Sequence, residues 1–392
     1  MPGPWMRMAQ LLAVIGGTSL AACGSSGGGG VTSSRVLIPK TGQTVSRDAN
    51  AMQADDGALQ AGQAWPSPRF RDGGDGTTTD RLTGLIWSTD ADVMASRDPT
   101  FDGDATAGDG NVTWQHARDY VAKLNAEAYL GHSDWRLPNI RELRSLSNYG
   151  AGDISEWLDG QGFANVYPYA YWSSTTWRSS PDQAWYFWLW SGHIAPVAKT
   201  MATINYGKVW PVRGRSSLAR TGQAECWDEA GVSIGCAGSG LDGELQVGIE
   251  PPTPRFQADG AGAVTDLLTA LVWPAALDAA ATGDCPAPPM PRPTWQGGLD
   301  HVACLNAHGY LGRNDWREAN VNELESLIDY GVADRDSWFA SGGFDAAPGF
   351  AWASDTSVDS PGFGFTAFNV GIDWVDKSDD TTYRPIPVRD GG

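Results

Sequence analysis

Two patterns of hydrophobic and polar residues recur along the chain. Apolar residues at helical spacing follow Thr113 and again follow Thr294, so each threonine predicts the start of a helix. Asn139 and Asn320 each precede a glutamate by three residues, which indicates a second, shorter helix with a capping box. Runs of aromatic and β-branched residues between glycines predict strands at residues 78–87, 171–174, 184–190 and 209–213. Two helices with a mainly antiparallel sheet in each unit indicate an α+β fold.

These patterns belong to an internal repeat. Asp134-Trp135-Arg136 returns as Asp315-Trp316-Arg317, and Trp87 has its counterpart in Trp273. The offset between equivalent residues lies between 176 and 186, which is too long for the unit of a solenoid. We therefore predict two tandem domains, residues 41–218 and 219–392, called the first and second copies below.

The start of the chain predicts a secretion signal. Residues 1–22 contain one basic residue and a short apolar stretch, and small residues then precede Cys23, as in a bacterial lipobox. We expect a lipidated Cys23 and a Gly/Ser tether over residues 23–40, and the alternative is an ordinary signal with an incidental cysteine. Gly24 is not the aspartate of inner-membrane retention, so we predict an exported protein anchored in the outer membrane of a Gram-negative bacterium.

Composition narrows the function further. The chain has 392 residues and a net charge of −19, which argues against nucleic acid as a partner. Lipid on one cysteine leaves four, an even number that favours disulfides in an exported protein. Three connectivities are possible, and the shortest loops predict the pairs Cys226–Cys236 and Cys285–Cys304.

Several spaced motifs resemble one family. The string at residues 131–143, together with residues 83–87, 171–175 and 212–214, is similar to the Lcl C-terminal domain, named after a bacterial collagen-like adhesin. The resemblance implies two compact C-type-lectin-like domains. The adhesin's domain is associated with sulfated polysaccharide, but a net charge of −19 makes a polyanion an awkward ligand here. The second copy departs from the motif at Glu318, where the family has leucine.

The charged residues shared by both copies have two interpretations. Arg136 and Arg317 can bind a ligand, or they can pair internally with Glu142 and Glu323. We favour the internal pairs, because a tryptophan flanked by charges before a capped helix is typical of structural residues.

Histidine gives no sign of catalysis. None of the five histidines recurs in the other copy, which argues against a histidine-based reaction in this domain. We therefore predict a non-catalytic binding or adhesion module for a glycan or another surface ligand, with no required cofactor. The alternatives are an enzyme or accessory factor whose site is not recognisable, or a purely structural envelope protein.

An insertion in the first copy is acidic and rich in glycine. Its carboxylates are spaced in a way that can hold Ca²⁺, although not as an EF-hand. The candidate ligands are Asp98, Asp102, Asp104 and Asp109. The alternative is a solvated loop.

Tryptophan is abundant, with 19 copies, and ten of these pair between the two copies as expected for core residues. The remaining rings are candidates for a platform that stacks on sugars. The candidate platform consists of Trp177, Trp188, Trp190, Tyr169 and Tyr171. The alternative is a larger core or a contact between the domains.

Overall fold

The structure is a computed structural model. It describes residues 35–48, 55–102, 106, 108–202, 206–277, 280–286, 292–367 and 371–391. The predicted signal peptide and Cys23 therefore lie outside the described residues. Within the described part of the chain, no helix combines the length and the apolar character needed to cross a membrane.

Helices and strands of the first copy alternate along the chain. In order they are α1 (Asp56–Leu59), β1 (Phe70–Asp72), β2 (Thr77–Asp80), β3 (Ile86–Ser88), α2 (Val93–Arg97), α3 (Trp114–Ala126), α4 (Ile140–Arg144), α5 (Ile154–Asp159), β4 (Ala170–Thr176), β5 (Gln183–Trp188), β6 (His193–Ala198), β7 (Tyr206–Lys208) and β8 (Val212–Arg213).

The second copy repeats this order with small changes. Its elements are β9 (Cys226–Trp227), β10 (Ser233–Ile234), α6 (Asp242–Leu245), β11 (Phe256–Ala258), β12 (Ala263–Asp266), β13 (Leu271–Pro274), α7 (Trp295–Ala307), β14 (Arg317–Glu318), α8 (Val321–Ser326), α9 (Arg335–Ser341), β15 (Ala351–Thr356), β16 (Phe363–Ala367), β17 (Ile372–Asp376) and β18 (Pro387–Asp390). One-turn 3-10 helices, Tyr129–Gly131 and Tyr310–Gly312, occupy equivalent positions.

The predicted α+β class is confirmed, and both predicted helices occur in each copy. Thr113 caps α3 by accepting from the backbone N–H of His116, and Thr294 caps α7 in the same way. Asn139 and Asn320 form the expected capping boxes of α4 and α8. The other helices span four to seven residues, too few for a periodic apolar pattern to reveal them.

Residues 78–87 are not one strand, as the sequence predicted, but the hairpin of β2 and β3. The chain turns back at Gly84, whose φ of 80° is unfavourable for residues with a side chain. The four-stranded sheet of the first copy has the order β1-β2-β3-β8, and the corresponding sheet of the second copy is β11-β12-β13-β18-β14. All of these pairs are antiparallel.

A third sheet runs through both copies. Its seven strands have the order β15-β16-β17-β6-β5-β4-β7, and only the pair β4 and β7 is parallel. Strands β17 and β6 join the copies by pairing Ile372 with Ile194, and both side chains are fully buried. The two copies therefore share one sheet and one hydrophobic core.

The segment that precedes each copy's sheet packs on the opposite copy. Gln43 exchanges two hydrogen bonds with the backbone of Thr356 in the second copy. Gln223, its equivalent, exchanges two hydrogen bonds with the backbone of Thr176 in the first copy. The segments are thus exchanged between the copies. The domain boundary predicted between residues 218 and 219 stays a prediction.

Most of the paired tryptophans are core residues, as predicted. Eight of the ten expose 2% or less of their surface, and the pair Trp157 and Trp338 is half-buried. The buried pairs are Trp87 with Trp273, Trp114 with Trp295, Trp135 with Trp316 and Trp172 with Trp352. In three of these pairs the indole N–H groups reach equivalent acceptors, such as the carbonyl of Ser173 for Trp114 and that of Ala353 for Trp295.

Candidate functional site

The shared arginines are structural, which confirms the internal pairing. Arg136 donates two hydrogen bonds to Glu142, at 2.6 and 2.7 Å, and Glu142 is fully buried. The same carboxylate accepts from the backbone N–H of Asn139 at 2.8 Å and so completes the capping box of α4. Arg317 and Glu323 repeat this arrangement at 2.5 and 2.6 Å. Because their hydrogen-bonding capacity is used inside the fold, these pairs offer little to a ligand.

The aspartates of the same motif lie at the surface. Asp134 accepts from Arg213 at 2.7 Å, and this hydrogen bond lowers the pKa of Asp134. Asp315 faces Arg389 at 3.8 Å. In each copy, the aspartate of the Asp-Trp-Arg motif therefore holds the last strand through an ion pair with an arginine of that strand.

Each exchanged segment places a buried aspartate beside the capping-box helix of the opposite copy, which is α4 in the first copy and α8 in the second. Asp242 of the second copy lies beside α4 of the first, where it accepts from the hydroxyls of Thr175 and Thr221, both at 2.7 Å, and burial raises its pKa to about 6. In the second copy, Asp355 replaces Thr175 and lies near Asp56. Burial raises the pKa of Asp56 and of Asp355, and the negative charge of Asp56 adds to the rise at Asp355. All three carboxyl groups are buried from solvent, which favours a structural role.

The acidic loop is held by cations and amides of the protein itself. Asp98 bonds Lys123 at 2.9 Å through one oxygen, and Tyr120 and Arg97 at 2.9 and 2.7 Å through the other. Asp102 accepts a hydrogen bond from the backbone N–H of Gly110, and Asp109 accepts one from the backbone N–H of Asn111. Asp104 lies outside the described residues. The loop is anchored to α3 by this ion pair, and binding of Ca²⁺ there stays a prediction.

Both predicted disulfides are confirmed. Cys226–Cys236 joins β9 to the second residue after β10, and Cys285–Cys304 ties a loop to α7. Among the described residues, the one group of three side chains close enough to share a metal ion is Cys285, Cys304 and His308. Its two thiols form the disulfide, so they are not available as thiolate ligands.

The aromatic candidates do not form one platform. Tyr171 is fully buried, so its assignment to an exposed surface was wrong: β4 lies between β5 and β7, and all seven of its residues are buried. Trp188 lies beside Tyr186, and Tyr169 stacks on Tyr167 with centroids 6.0 Å apart. Trp177 and Trp190 instead lie in two separate grooves.

These two grooves occupy equivalent positions on the junction between the copies. The Trp190 groove has a volume of about 420 Å³, and its base is an edge-to-face pair of Tyr149 and Phe365 at 4.8 Å. The Trp177 groove has a volume of about 550 Å³, and its base is an edge-to-face pair of Tyr330 and Trp185 at 5.2 Å. In the repeat Tyr149 corresponds to Tyr330, and by strand register Phe365 corresponds to Trp185. Each groove therefore requires both copies.

The walls of the grooves differ in chemistry. Trp190 exposes 39% of its surface and meets Trp374 edge to face at 6.2 Å. The polar residues around this pair are Asn148, Ser191, Ser357, Asp359 and Ser360. The Trp177 groove has a half-buried Trp177 and two guanidinium groups, those of Arg178 and Arg335. Burial lowers the pKa of Arg335 and raises the pKa of Asp329 in this groove.

Sequence reasoning identified one ring in each groove and missed the rest. Trp374 also lacks a tryptophan counterpart, because strand register aligns it with Pro196, so the same signal was present for it. Asp359 gave no such signal, because only the contact between the copies brings it to Trp190.

Comparison with known proteins gives one result for this chain. The sequence model of the Lcl C-terminal domain matches residues 76–213 and 262–389, which together make up more than half of the chain. These ranges start after the exchanged segments and end in the last strand of each copy. No curated protein matches the chain.

Proposed function

The chain belongs to the Lcl C-terminal domain family, in two tandem copies, and we propose that it is a cell-envelope lipoprotein that binds glycan without catalysis. Membership in the family suggests an adhesin-like module. The lipobox-like sequence at Cys23 supports a lipid anchor, and the Trp190 groove supports a sugar as the ligand.

The Trp190 groove carries the proposal. A sugar ring presents an apolar face of C–H groups and a rim of hydroxyls, so it is recognised by an exposed aromatic ring flanked by polar side chains. Trp190 supplies the ring, and Trp374 holds it from the side. Asn148 and Asp359 supply an amide and a carboxylate at the rim.

The absence of catalysis is supported by where the charged residues lie. The arginine and glutamate of the motif shared by both copies pair with each other at 2.5–2.7 Å. The buried aspartates Asp56, Asp242 and Asp355 are closed to a substrate in this fold. Neither groove contains a histidine.

A glycan array followed by titration calorimetry tests the proposed binding. We expect Trp190→Ala to weaken the best glycan at least tenfold, or by about 1.4 kcal/mol, because the stacking surface is lost. Phe350→Ala is the matched control, because Phe350 is a similarly exposed ring outside both grooves. If Trp190→Ala binds the glycan as tightly as the wild type and Phe350→Ala binds it more weakly, the assignment is contradicted. An array without any bound glycan would also contradict it.

The proposed anchor has its own test. In the native bacterial host, Cys23→Ser is expected to move the protein from the detergent phase to the aqueous phase in a phase-partition assay, because the acyl chains are lost. Cys226→Ser, which removes a cysteine of the folded part, should leave the partition unchanged. A Cys23→Ser protein that stays in the detergent phase would rule out this anchor.

A further inference from the structure

A second cavity lies at the junction of the copies, and it shares no lining residue with either groove. Its volume, including the space at its open mouth, is about 610 Å³. Both copies and the segment that begins at Val36 contribute to its wall. We call it the junction cavity.

Positive charge dominates the junction cavity. Its charged lining residues are Lys40, Arg69, Arg141, Arg144 and Glu325. This local excess of cations contrasts with the chain's net charge of −19. The three arginines expose between 4 and 7% of their surface, so water compensates their charge only weakly.

The carboxylates of the protein do not balance these arginines. Asp80 pairs with Arg69 through two hydrogen bonds, at 3.2 and 2.9 Å. Glu325 is shared by Arg141 at 3.0 Å and Arg144 at 3.4 Å. Three guanidinium groups thus share two carboxylates, which leaves one positive charge to be neutralised.

Donor groups of the same arginines also lack acceptors. Among the described residues, Nη1 of Arg69 and Nε of Arg141 and Arg144 are buried without a hydrogen-bond partner. A buried donor without an acceptor costs about 1–3 kcal/mol, more when it is charged. An anion bound in the cavity can supply the missing negative charge.

Apart from Ser145, Ser147, Thr269, Asn322 and Ser326, the rest of the wall is apolar. Val36, Ile38 and Leu268 are contributed by different parts of the chain, and Leu82 and Trp65 are half-buried along the lining. Such a wall favours a ligand with a hydrocarbon body over a small hydrated ion.

We propose that the junction cavity binds a small amphipathic carboxylate, with the carboxylate toward the three arginines and the apolar body against Val36, Ile38, Leu82 and Leu268. Bidentate geometry makes arginine a strong partner for a carboxylate. This site is independent of the glycan groove, because the two have separate walls.

Calorimetry with four probes tests the proposal on the folded chain. Decanoate and 3-phenylpropionate carry a chain or a ring, acetate has the charge alone, and decanol has the apolar body alone. We expect one equivalent of decanoate or 3-phenylpropionate to bind at least tenfold more tightly than acetate or decanol. The preferred acid shows whether the natural ligand has a chain or a ring. No binding of either acid, or equal binding of decanol, would overturn the proposal.

Substitutions in the cavity wall test whether the acid binds in this cavity. Leu82→Trp adds bulk at a half-buried wall position and should weaken the preferred acid at least tenfold. Leu37→Trp is the matched control, because Leu37 is 61% exposed, lies beside the lining residue Ile38 and does not line the cavity. Arg141→Gln should weaken the acid but not decanol, which separates loss of charge from loss of fold. Unchanged affinity in both Leu82→Trp and Arg141→Gln would place the ligand elsewhere.

Discussion

The first and second copies solve the same structural problems with different residues. The long helix of the first copy, α3, is anchored to its loop by the ion pair of Lys123 and Asp98. The equivalent helix α7 carries Cys304 at the position of Lys123, and a disulfide to Cys285 holds the loop. The fold therefore requires an anchor at this point of the helix, but it does not require a particular chemistry.

At the junction, one pair of equivalent positions in the two copies carries opposite charges. Arg144 in α4 and Glu325 in α8 are equivalent positions of the repeat, and they face each other with 3.4 Å between Nη1 and Oε2. Two identical copies packed in this way would bring like charges together. Because the copies differ here, a first copy pairs with a second copy, and the two grooves form as a consequence.

Reversing one of these two charges is expected to have the largest effect on the free energy of unfolding. Arg144→Glu places two carboxylates in a site where both side chains are about 6% exposed, so we expect a loss of about 3–5 kcal/mol in the free energy of unfolding. Urea unfolding measures the loss. Arg144→Gln, which removes the cation without adding a second carboxylate, should cost clearly less. A loss as large as that of Arg144→Glu would mean that charge is not what pairs the copies.

The two anchors give the next largest difference. Cys285→Ser with Cys304→Ser opens a covalent loop of 19 residues, which is worth about 3 kcal/mol. Lys123→Met removes a partly exposed ion pair, which is worth about 0.2–1 kcal/mol. Urea unfolding of both variants compares the anchors directly. A larger loss in Lys123→Met than in the double serine variant would show that the copies are not anchored in the way we describe.

Sequence reasoning succeeded where a feature depends on neighbours in the chain. Thr113 and Asn139 cap helices because the groups that they bond lie three residues ahead, and the disulfides close short loops. It failed where the partner is distant. Nothing near Arg144 in the sequence indicates Glu325, 181 residues away, and the repeat does not tell on which copy Gln43 packs.

The candidate site shows the same limit. The missing counterpart of Trp190 marked it as a candidate, and the ring is 39% exposed, while its role in binding stays a prediction. The same argument misplaced Tyr171, because the number of layers over a strand is set by elements far along the chain. A groove made by Tyr149 and Phe365 exists only once both copies have packed.

The buried carboxyl sites provide the third comparison between the copies. In the first copy, the hydroxyl of Thr175 accepts from the N–H of Ile140 at 3.1 Å and donates to Asp242. In the second, Asp355 accepts from the N–H of Val321 at 2.6 Å, but it adds a second carboxyl group beside Asp56. Asp355→Thr copies the first arrangement into the second. It should raise the free energy of unfolding at pH 7 by about 1–2 kcal/mol, because a buried carboxyl group is removed and its hydrogen bond is kept.

The dependence of this gain on pH distinguishes the mechanism from a general improvement in packing. The pKa values of Asp56 and Asp355 are raised in the folded state, so that state binds more protons than the unfolded chain above pH 3.8. The pair therefore destabilises the wild type increasingly as the pH rises from 3.8 through the raised pKa values. Urea unfolding at pH 4 and pH 7 should show a larger gain for Asp355→Thr at pH 7. An equal gain at both values would assign the effect to packing, because a change in packing does not depend on protons.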